Sequence, residues 1–133
     1  MITVREKVRF VETDMMGVVH HSNYFRWFEM GRVEYLRQAG ILLTEMMEQG
    51  ILFPITDVSC KYHSSAKFDD YILIETEMAD FSRVKMVFSY EVRREADGVI
   101  LATGRTTNLF TKDGKITRLP ANYYSKLENS VQK

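Results

Sequence analysis

Hydrophobic and polar positions follow two different periods along this chain. In the first part, aromatic and aliphatic side chains recur every three to four positions from Ser22 or Asn23 to Ala39, which predicts a largely buried helix closed by Gly40. The extended apolar run before it, residues 2–12, predicts a first strand. The helix also keeps a polar stripe, expected at a solvated edge or an interface: Glu29, Arg32, Glu34 and Arg37.

In the rest of the chain, apolar and polar residues alternate as they do in half-buried strands. The longest alternating runs cover residues 72–79, 84–93 and 99–111. The pair Asp97-Gly98 lies between the last two runs and predicts a hairpin, and residues 112–115 predict another turn. Two short helices are also expected, one capped by Thr44 and one over residues 121–131.

This order of elements predicts the α+β class, with an antiparallel sheet of about five strands around one long, mostly buried helix. In the last long strand, the progressively smaller side chains of Ile100, Ala102 and Gly104 favour close packing of the helix. A single sheet of this kind leaves strand edges unpaired, and joining two edges across a two-fold axis satisfies them. We therefore expect a homodimer or a homotetramer.

Length and composition narrow the class of protein. The chain has 133 residues, enough for one domain that we expect to span residues 1–133. Its 18 basic and 18 acidic residues balance, so no general field attracts nucleic acid or an anionic membrane. No apolar stretch approaches the roughly 18 residues of a membrane span, and the N-terminus has no apolar signal segment, so a cytoplasmic location is expected.

The single cysteine, Cys60, excludes an intrachain disulfide and a zinc cluster built on cysteines. It alternates in phase with Val58 and Tyr62, which predicts a buried structural thiol rather than a nucleophile.

The segment TDMMGVVHHSNY, residues 13–24, combines several groups that catalysis can use. Asp14 falls in a turn, Gly17 permits close backbone approach, and N–H groups at the start of the helix point back toward that turn. A carboxylate beside such donors can attack a carbonyl, or activate water against it, while the donors stabilise the oxyanion. The structural alternative is that Asp14 only forms an Asx turn.

Two adjacent histidines lie in the second half of this segment, and neighbouring side chains are expected to point in different directions. Only one of His20 and His21 is therefore expected to face a reaction centre, while the other caps the helix or faces water. A metal site is not predicted, because consecutive histidines fit one coordination sphere poorly and the chain has no His-x3-His pair.

The stretch from Val8 to Ile41, with the later stretch LATGRTTNLFTKDGKITRLP, resembles the 4-hydroxybenzoyl-CoA thioesterase family. Within that family it is similar to the bacterial acyl-CoA thioesterases that accompany the Tol-Pal genes. The resemblance runs from about Thr3 to Pro120 and implies the hotdog fold. It further implies hydrolysis of an acyl-CoA, with active sites at subunit interfaces and no cofactor beyond the coenzyme A of the substrate.

The resemblance also implies roles for individual residues. Asp14 matches the catalytic carboxylate, which acts as nucleophile or as general base, and His21 matches a polarising or orienting histidine. The backbone N–H groups of Gly17, Val18 and Val19 are the expected oxyanion donors.

For substrate binding, the family places basic residues where this chain has Arg83, Lys85 and Arg118, which implies contacts with the phosphates of coenzyme A. Lys61 and Lys67 are weaker candidates, and ordinary solvated strand charges are the alternative. Four residues are expected either to line an acyl pocket or to belong to the core: Phe10, Met16, Tyr24 and Phe28. Phe10 stands where the Tol-Pal-associated members have a tyrosine, so this chain lacks that hydroxyl.

Two other functions remain open on the sequence alone. A hydratase or dehydratase on the same fold would act on the β-carbon instead of the carbonyl. A non-catalytic module that binds acyl-CoA or acyl carrier protein would bind the thioester without turnover, and the retained acid Asp14 argues against it. The acyl chain, its carrier and the choice between dimer and tetramer are not determined by these patterns.

Overall fold

The computed structural model describes residues 1–131 of the chain. These residues form eight strands, named here in chain order: β1 (Ile2–Lys7), β2 (Ile51–Leu52), β3 (Ile55–Tyr62), β4 (Tyr71–Phe81), β5 (Lys85–Arg94), β6 (Ile100–Leu109), β7 (Thr111–Lys112) and β8 (Lys115–Ile116). Five of them make one antiparallel sheet in the order β1-β4-β5-β6-β3. The expected sheet of about five strands is therefore confirmed.

The helices are α1 (Ser22–Gln38), α2 (Leu43–Glu48) and α3 (Ala121–Val131). The long helix thus ends within one residue of its predicted end, with Gly40 at a φ of +87° directly after the cap residue Ala39. The predicted cap of the second helix was wrong, because α2 begins one residue before Thr44 and its cap position is Leu42.

The first strand is shorter than predicted. It ends at Lys7, and Phe10–Glu12 form a single turn of 3-10 helix. The side chain of Glu12 turns inward and accepts a hydrogen bond of 2.7 Å from the Arg9 amide, which bends the chain away from the extended course.

Both predicted turns are confirmed. Gly98 has a φ of +71° between β5 and β6, and the Asp97 carboxylate accepts the Val99 amide at 3.1 Å. The second turn, with positive φ at Asp113 and Gly114, joins β7 to β8. These two strands and β2 form a small second sheet that the periodicity had not indicated.

Helix α1 packs tightly against one face of the main sheet. Phe28 is fully buried, and its ring stacks on Tyr90 of β5 with centroids 4.4 Å apart. A side chain at Gly104 would overlap the Phe28 ring, and one at Gly31 would overlap the Thr76 hydroxyl. The small residues of β6 therefore serve the close packing that the sequence predicted.

Arg32 does not belong to the solvated stripe in which the sequence placed it. It is buried, and its Nη1 donates to the Tyr90 hydroxyl at 3.2 Å, which in turn lies 2.6 Å from the Thr106 hydroxyl. Helical spacing alone could not distinguish this position from its exposed neighbours, because the phenol that receives the guanidinium lies far away in sequence.

The edge strand β3 is exposed to solvent even on the side of the main sheet against which α1 packs. Val58 and Tyr62 pair with residues of β6 that face the helix, yet 44% and 46% of their surface is exposed. Cys60, between them, is half-buried, and burial raises the pKa of its thiol. The predicted phase of Cys60 is thus correct, while its burial is only partial.

Candidate active site

Asp14 lies in a tight loop between the 3-10 turn and α1. Its Oδ1 accepts the Met16 amide at 2.8 Å, its own amide donates to the Val18 carbonyl at 2.9 Å, and Gly17, with a φ of +79°, donates to the Asp14 carbonyl at 3.0 Å. The Asx turn that was the structural alternative is therefore present. It leaves Oδ2 without a hydrogen bond within residues 1–131, so the exposed carboxylate keeps a free oxygen.

The loop offers fewer free amide donors than predicted. The Gly17 amide is used inside the turn, and the Val19 amide donates to the Ala66 carbonyl at 2.9 Å. Across the described part of the chain, the amides of Val18 and His21 have no acceptor. The Val18 donor was predicted, whereas the His21 amide was missed, although its place at the cap of α1 puts it at the positive end of the helix dipole.

A cavity of about 310 Å³ opens beside the loop. It brings together four residues proposed from the sequence, Asp14, Val19, His21 and Tyr24, with a group that lies about 50 positions further along the chain. The complete lining is Asp14, Val19, His21, Tyr24, Tyr62, His63, Ser64 and Ser65. The second group comes from the end of β3 and the following loop, and none of its residues was proposed as a site residue from the sequence.

Tyr62 forms the wall of this cavity opposite the loop. Its hydroxyl donates to the His21 carbonyl at 3.3 Å, and its ring meets the buried Tyr24 ring edge-on, with centroids 5.2 Å apart. Desolvation, followed by the contact with the Cys60 thiol, raises the pKa of Tyr62 to about 12. The phenol therefore stays protonated near neutral pH. Burial likewise raises the pKa of Tyr24.

The two histidine rings do not point in different directions as the sequence predicted, since their centroids lie only 4.2 Å apart, but they make different contacts. The His20 ring is tied to the start of α1, with Nδ1 2.8 Å from the Ser22 hydroxyl and 3.3 Å from the Ser22 amide that donates to it. His21 lines the cavity, and its ring meets the ring of the cavity residue Tyr62 edge-on, with centroids 6.2 Å apart. The geometry therefore gives His20 a capping role and leaves His21 in place for chemistry.

A buried carboxylate, which was not predicted from the sequence, anchors the loop. Only 3% of Glu12 is exposed. One oxygen accepts the Arg9 amide at 2.7 Å, and the other accepts Nε1 of the buried Trp27 at 3.2 Å and lies 3.8 Å from Nη1 of Arg26. The signal available in the sequence was an acid at the end of an apolar run, directly before the candidate catalytic residue.

The backbone of Glu12 holds the far end of the same loop. Its carbonyl accepts the His20 amide at 2.9 Å and the side-chain amide of Asn23 at 3.1 Å. The chain therefore leaves and re-enters the core at one point, and Asp14 sits in the segment between. This arrangement fixes the carboxylate relative to the start of α1.

Arg94 holds the second wall of the cavity. Its Nη2 donates to the Ser65 carbonyl at 2.9 Å, and its Nε donates to Oδ2 of Asp70 at 3.3 Å. The loop fixed in this way carries Ala66, whose carbonyl accepts the Val19 amide. The two loops that line the cavity are thereby bonded to each other.

The predicted phosphate-binding cations lie together but far from Asp14. The Arg83 guanidinium donates twice to the Leu119 carbonyl, at 2.9 and 3.0 Å, which places Arg118 beside it, while Lys85 lies 3.8 Å from Asp80. Cavity residue Tyr62 is level with Val92 of β5, since both pair with Ala102.

Lys85 is seven residues from Val92 along β5, which corresponds to roughly 24 Å. The cations and the cavity therefore occupy opposite ends of the sheet in one chain.

The remaining candidates separate into core and surface. Phe28 belongs to the core, whereas Phe10 and Met16 are strongly exposed near the loop. Lys61 and Lys67 are exposed and form no ion pair among residues 1–131. In the same part of the chain, no three His, Cys, Asp or Glu side chains converge as metal ligands would.

No helix of the described chain is both long enough and apolar enough to span a membrane.

Comparison with known proteins gives a consistent result. The model of the thioesterase-like superfamily matches residues 8–127. Acyl-CoA thioesterase YbgC of Haemophilus influenzae is 32% identical over 89 residues, which are 66% of this chain and 65% of that protein. The 4-hydroxybenzoyl-CoA thioesterase of Pseudomonas sp. strain CBS-3 is 28% identical over 100 residues, 73% of this chain and 71% of its own.

Among solved structures, the DHNA-CoA thioesterase of Staphylococcus aureus superposes with a TM-score of 0.88 at 32% identity. The superposition covers 98% of this chain and 94% of the staphylococcal one.

Proposed function

The chain belongs to the thioesterase-like superfamily, and we propose on this basis that it is an acyl-CoA thioesterase that releases a free acid and coenzyme A by means of Asp14. The expected hotdog fold is confirmed by the neighbours that superpose over nearly the whole chain. Membership of the Tol-Pal-associated subgroup stays a prediction.

One observation carries the assignment of the site. The Asp14 carboxylate and the His21 side chain line the same cavity, and the loop between them carries the two amides without an acceptor, Val18 and His21. A thioester carbonyl placed there would meet a carboxylate and backbone donors together. This is what acyl transfer requires, because negative charge develops on the carbonyl oxygen as attack proceeds.

Two routes are compatible with this geometry. In the first, Oδ2 of Asp14 bonds to the carbonyl carbon, the C–S bond breaks to expel coenzyme A as thiolate, and water then cleaves the mixed anhydride. In the second, Asp14 takes a proton from water, and the resulting hydroxide attacks the carbonyl carbon directly. The C–S bond then breaks, and the leaving thiolate of coenzyme A takes up the proton from Asp14. In both, the amides of Val18 and His21 hold the oxyanion. Neither route uses a cofactor beyond the coenzyme A of the substrate.

One experiment distinguishes thioester hydrolysis from the rival activity on the same fold, hydration of an enoyl-CoA. The protein is incubated with a saturated acyl-CoA and with the matching enoyl-CoA, and free thiol is measured. A thioesterase releases thiol from both substrates. Loss of the enoyl double bond without thiol release would favour a hydratase, and binding without any turnover would favour a binding module.

We expect His21→Ala to lower kcat/KM by about tenfold to a hundredfold, because the ring faces the reacting group. His20→Ala should lower it by less than about threefold, since His20 only caps α1. Steady-state kinetics on both variants, with thermal melting as the check on folding, measures the difference. Equal and negligible effects would return both histidines to structural roles.

A two-fold dimer would bring the cations of one subunit close to the cavity of the other, although the two lie far apart within one chain. Antiparallel pairing of two β3 edges would bring the partner's far end of the sheet beside the cavity end of the first chain. In the strand order, β5 lies two strand spacings from the β3 edge, roughly 10 Å. A coenzyme A molecule held at Asp14 of one subunit could then place its phosphates on the partner subunit's basic residues.

We accordingly expect a dimer or tetramer at micromolar concentration, measured by light scattering. Val58→Asp, which places a charge on the open face of β3, should shift the population toward the monomer. Arg37→Ala, an exposed change on α1, serves as the control. A fully active monomer of the unaltered protein would contradict this arrangement.

The cation contact should be the same in the ground state and the transition state. We therefore expect Arg118→Ala and Lys85→Ala each to raise KM for acyl-CoA by about twofold to fivefold and to leave kcat nearly unchanged. Added salt should also raise KM, because it screens exposed charges within about 8 to 10 Å. A pantetheine thioester, which lacks the nucleotide, should show little salt dependence. An unaltered KM in both variants would place the nucleotide elsewhere or indicate a protein carrier.

A further inference from the structure

Large apolar side chains are exposed on the loops that flank the candidate active site. Three lie around Asp14: Phe10 is 74% exposed, Met15 is fully exposed and Met16 is 85% exposed. Phe68, on the loop that follows the cavity residues Ser64 and Ser65, is 50% exposed. We call these four side chains the loop patch. Side chains of this size are normally buried, and a group of them on the surface marks a binding site.

Backbone and ring contacts connect the two loops that carry the patch. The Phe10 and Phe68 rings meet edge-on with centroids 5.6 Å apart. Val18 and Lys67, which precede α1 and Phe68, form an antiparallel bridge. The Met16 amide donates to the Asp14 carboxylate. The patch is therefore part of the same pair of loops that positions the candidate catalytic carboxylate.

The cavity itself cannot accommodate a long apolar group. Seven of its eight lining residues carry a polar side-chain atom that is charged, phenolic, imidazole or hydroxyl, and an apolar chain would desolvate them without replacing their hydrogen bonds. In a thioester attacked by Asp14, the acyl chain is bonded directly to the reacting carbonyl carbon. It must leave the cavity over the surface next to Asp14, where the exposed side chains of Met15 and Met16 follow Asp14 directly in the chain.

The patch also lies on the correct side for the acyl end. Phe10 follows β1 and Phe68 precedes β4, the two strands farthest from the β3 edge. Pairing of β3 edges therefore leaves the patch uncovered, and the coenzyme A arm, drawn toward the partner's cations, departs in the opposite direction. A thioester at Asp14 would thus have its charged end toward β3 and its apolar end toward the patch.

We propose that Phe10, Met15, Met16 and Phe68 bind the acyl chain of the substrate, and that this substrate carries an aliphatic chain longer than the cavity. The proposal rests on the proposed function. Methionine favours a flexible aliphatic ligand, because its unbranched thioether adapts to many chain conformations.

The test compares acyl-chain lengths instead of absolute rates. Thiol release is measured with acetyl-, hexanoyl- and dodecanoyl-CoA for the unaltered protein, Met15→Ser, Met16→Ser and Phe68→Ser. The readout is the ratio of kcat/KM for dodecanoyl-CoA to that for acetyl-CoA. We expect each variant to lower this ratio by about tenfold, the lower end of what the loss of an apolar contact costs. Met47→Ser on α2, also an exposed methionine, is the control and should leave the ratio as it is.

A binding measurement separates this proposal from the proposed function. Calorimetry compares S-dodecyl-CoA with S-ethyl-CoA, two thioethers that cannot be hydrolysed. Weaker binding of only the dodecyl ligand by Met15→Ser and Met16→Ser supports the patch even for a protein that hydrolyses nothing. An unchanged preference for the long chain in both assays overturns the proposal. Loss of self-association in the variants, or loss of binding to vesicles without a change in chain preference, would assign the patch to a second copy or to a lipid surface and would also overturn it.

Discussion

Replacing Asp14 by asparagine should lower kcat by about 10²- to 10⁴-fold while the protein keeps its fold. Asparagine has the same shape, is favoured in Asx turns and can still accept the Met16 amide through its oxygen, so the loop should keep its course. It cannot form the mixed anhydride at an ordinary rate, and it cannot take a proton from water. The loss is therefore chemical on either of the two routes.

The control for this variant is Asp113→Asn. Asp113 is also an exposed turn aspartate, with a φ of +53° that asparagine tolerates, and it lies in the turn between β7 and β8. Turnover of acyl-CoA and the melting temperature are measured for both variants. A kcat for Asp14→Asn close to that of the unaltered protein would remove Asp14 from the mechanism.

Replacing Glu12 by alanine should destabilise the protein by about 3 kcal/mol and lower Tm by roughly 10 °C. The substitution leaves the buried indole N–H of Trp27 and the Arg9 amide without acceptors, and it removes the carboxylate beside two arginines. Urea denaturation measures the free energy of unfolding. Glu12→Gln, which retains one acceptor oxygen, should lose less stability and can be studied if the alanine variant does not fold.

Glu95→Ala is the matched control for Glu12. Glu95 also pairs with an arginine, Arg5, at 2.7 Å, but the pair is exposed on the surface. Its removal should leave Tm nearly unchanged, because solvent already screens the pair. Similar melting temperatures for the two variants would show that burial of Glu12 contributes nothing, and that the loop carrying Asp14 is held by other contacts.

The parts of the fold that the sequence predicted are those with local signals. The helix period located α1 within one residue of its end, and Asp97-Gly98 located the hairpin, because each signal comes from residues adjacent in the chain. The end of β1 and the burial of Arg32 were missed. Both depend on partners distant in sequence, Trp27 for Glu12 and Tyr90 for Arg32, which no local period reveals.

The candidate site divides in the same way, into residues that a local sequence signal reveals and residues that only distant partners bring into place. The residues of one short segment, Asp14 and His21, could be proposed together because they share a loop. The opposite wall could not, since Tyr62 and Ser64 reach the cavity only through the pairing of β3 with β6 and the bonds of Arg94 to the following loop. The hydrogen bond from the Gly17 amide to the Asp14 carbonyl could likewise not be predicted, because it depends on how the loop folds in three dimensions.

The separation of the cations from Asp14 had a visible cause in the sequence. Ten residues of continuous strand, Lys85–Arg94, necessarily place their two ends far apart. What the sequence did not reveal was which end of that strand faces the cavity. This depends on the antiparallel order of the whole sheet.

Release of thiol from saturated acyl-CoAs by the purified protein tests the central claim most directly. Free thiol and free acid are both quantified with acetyl-, hexanoyl-, dodecanoyl- and benzoyl-CoA, for the unaltered protein and for Asp14→Asn. The account predicts equal amounts of thiol and acid from at least one of these substrates and a loss of at least about a hundredfold in the variant. No thiol above the buffer background with any of them, or the same rate in Asp14→Asn, would contradict it.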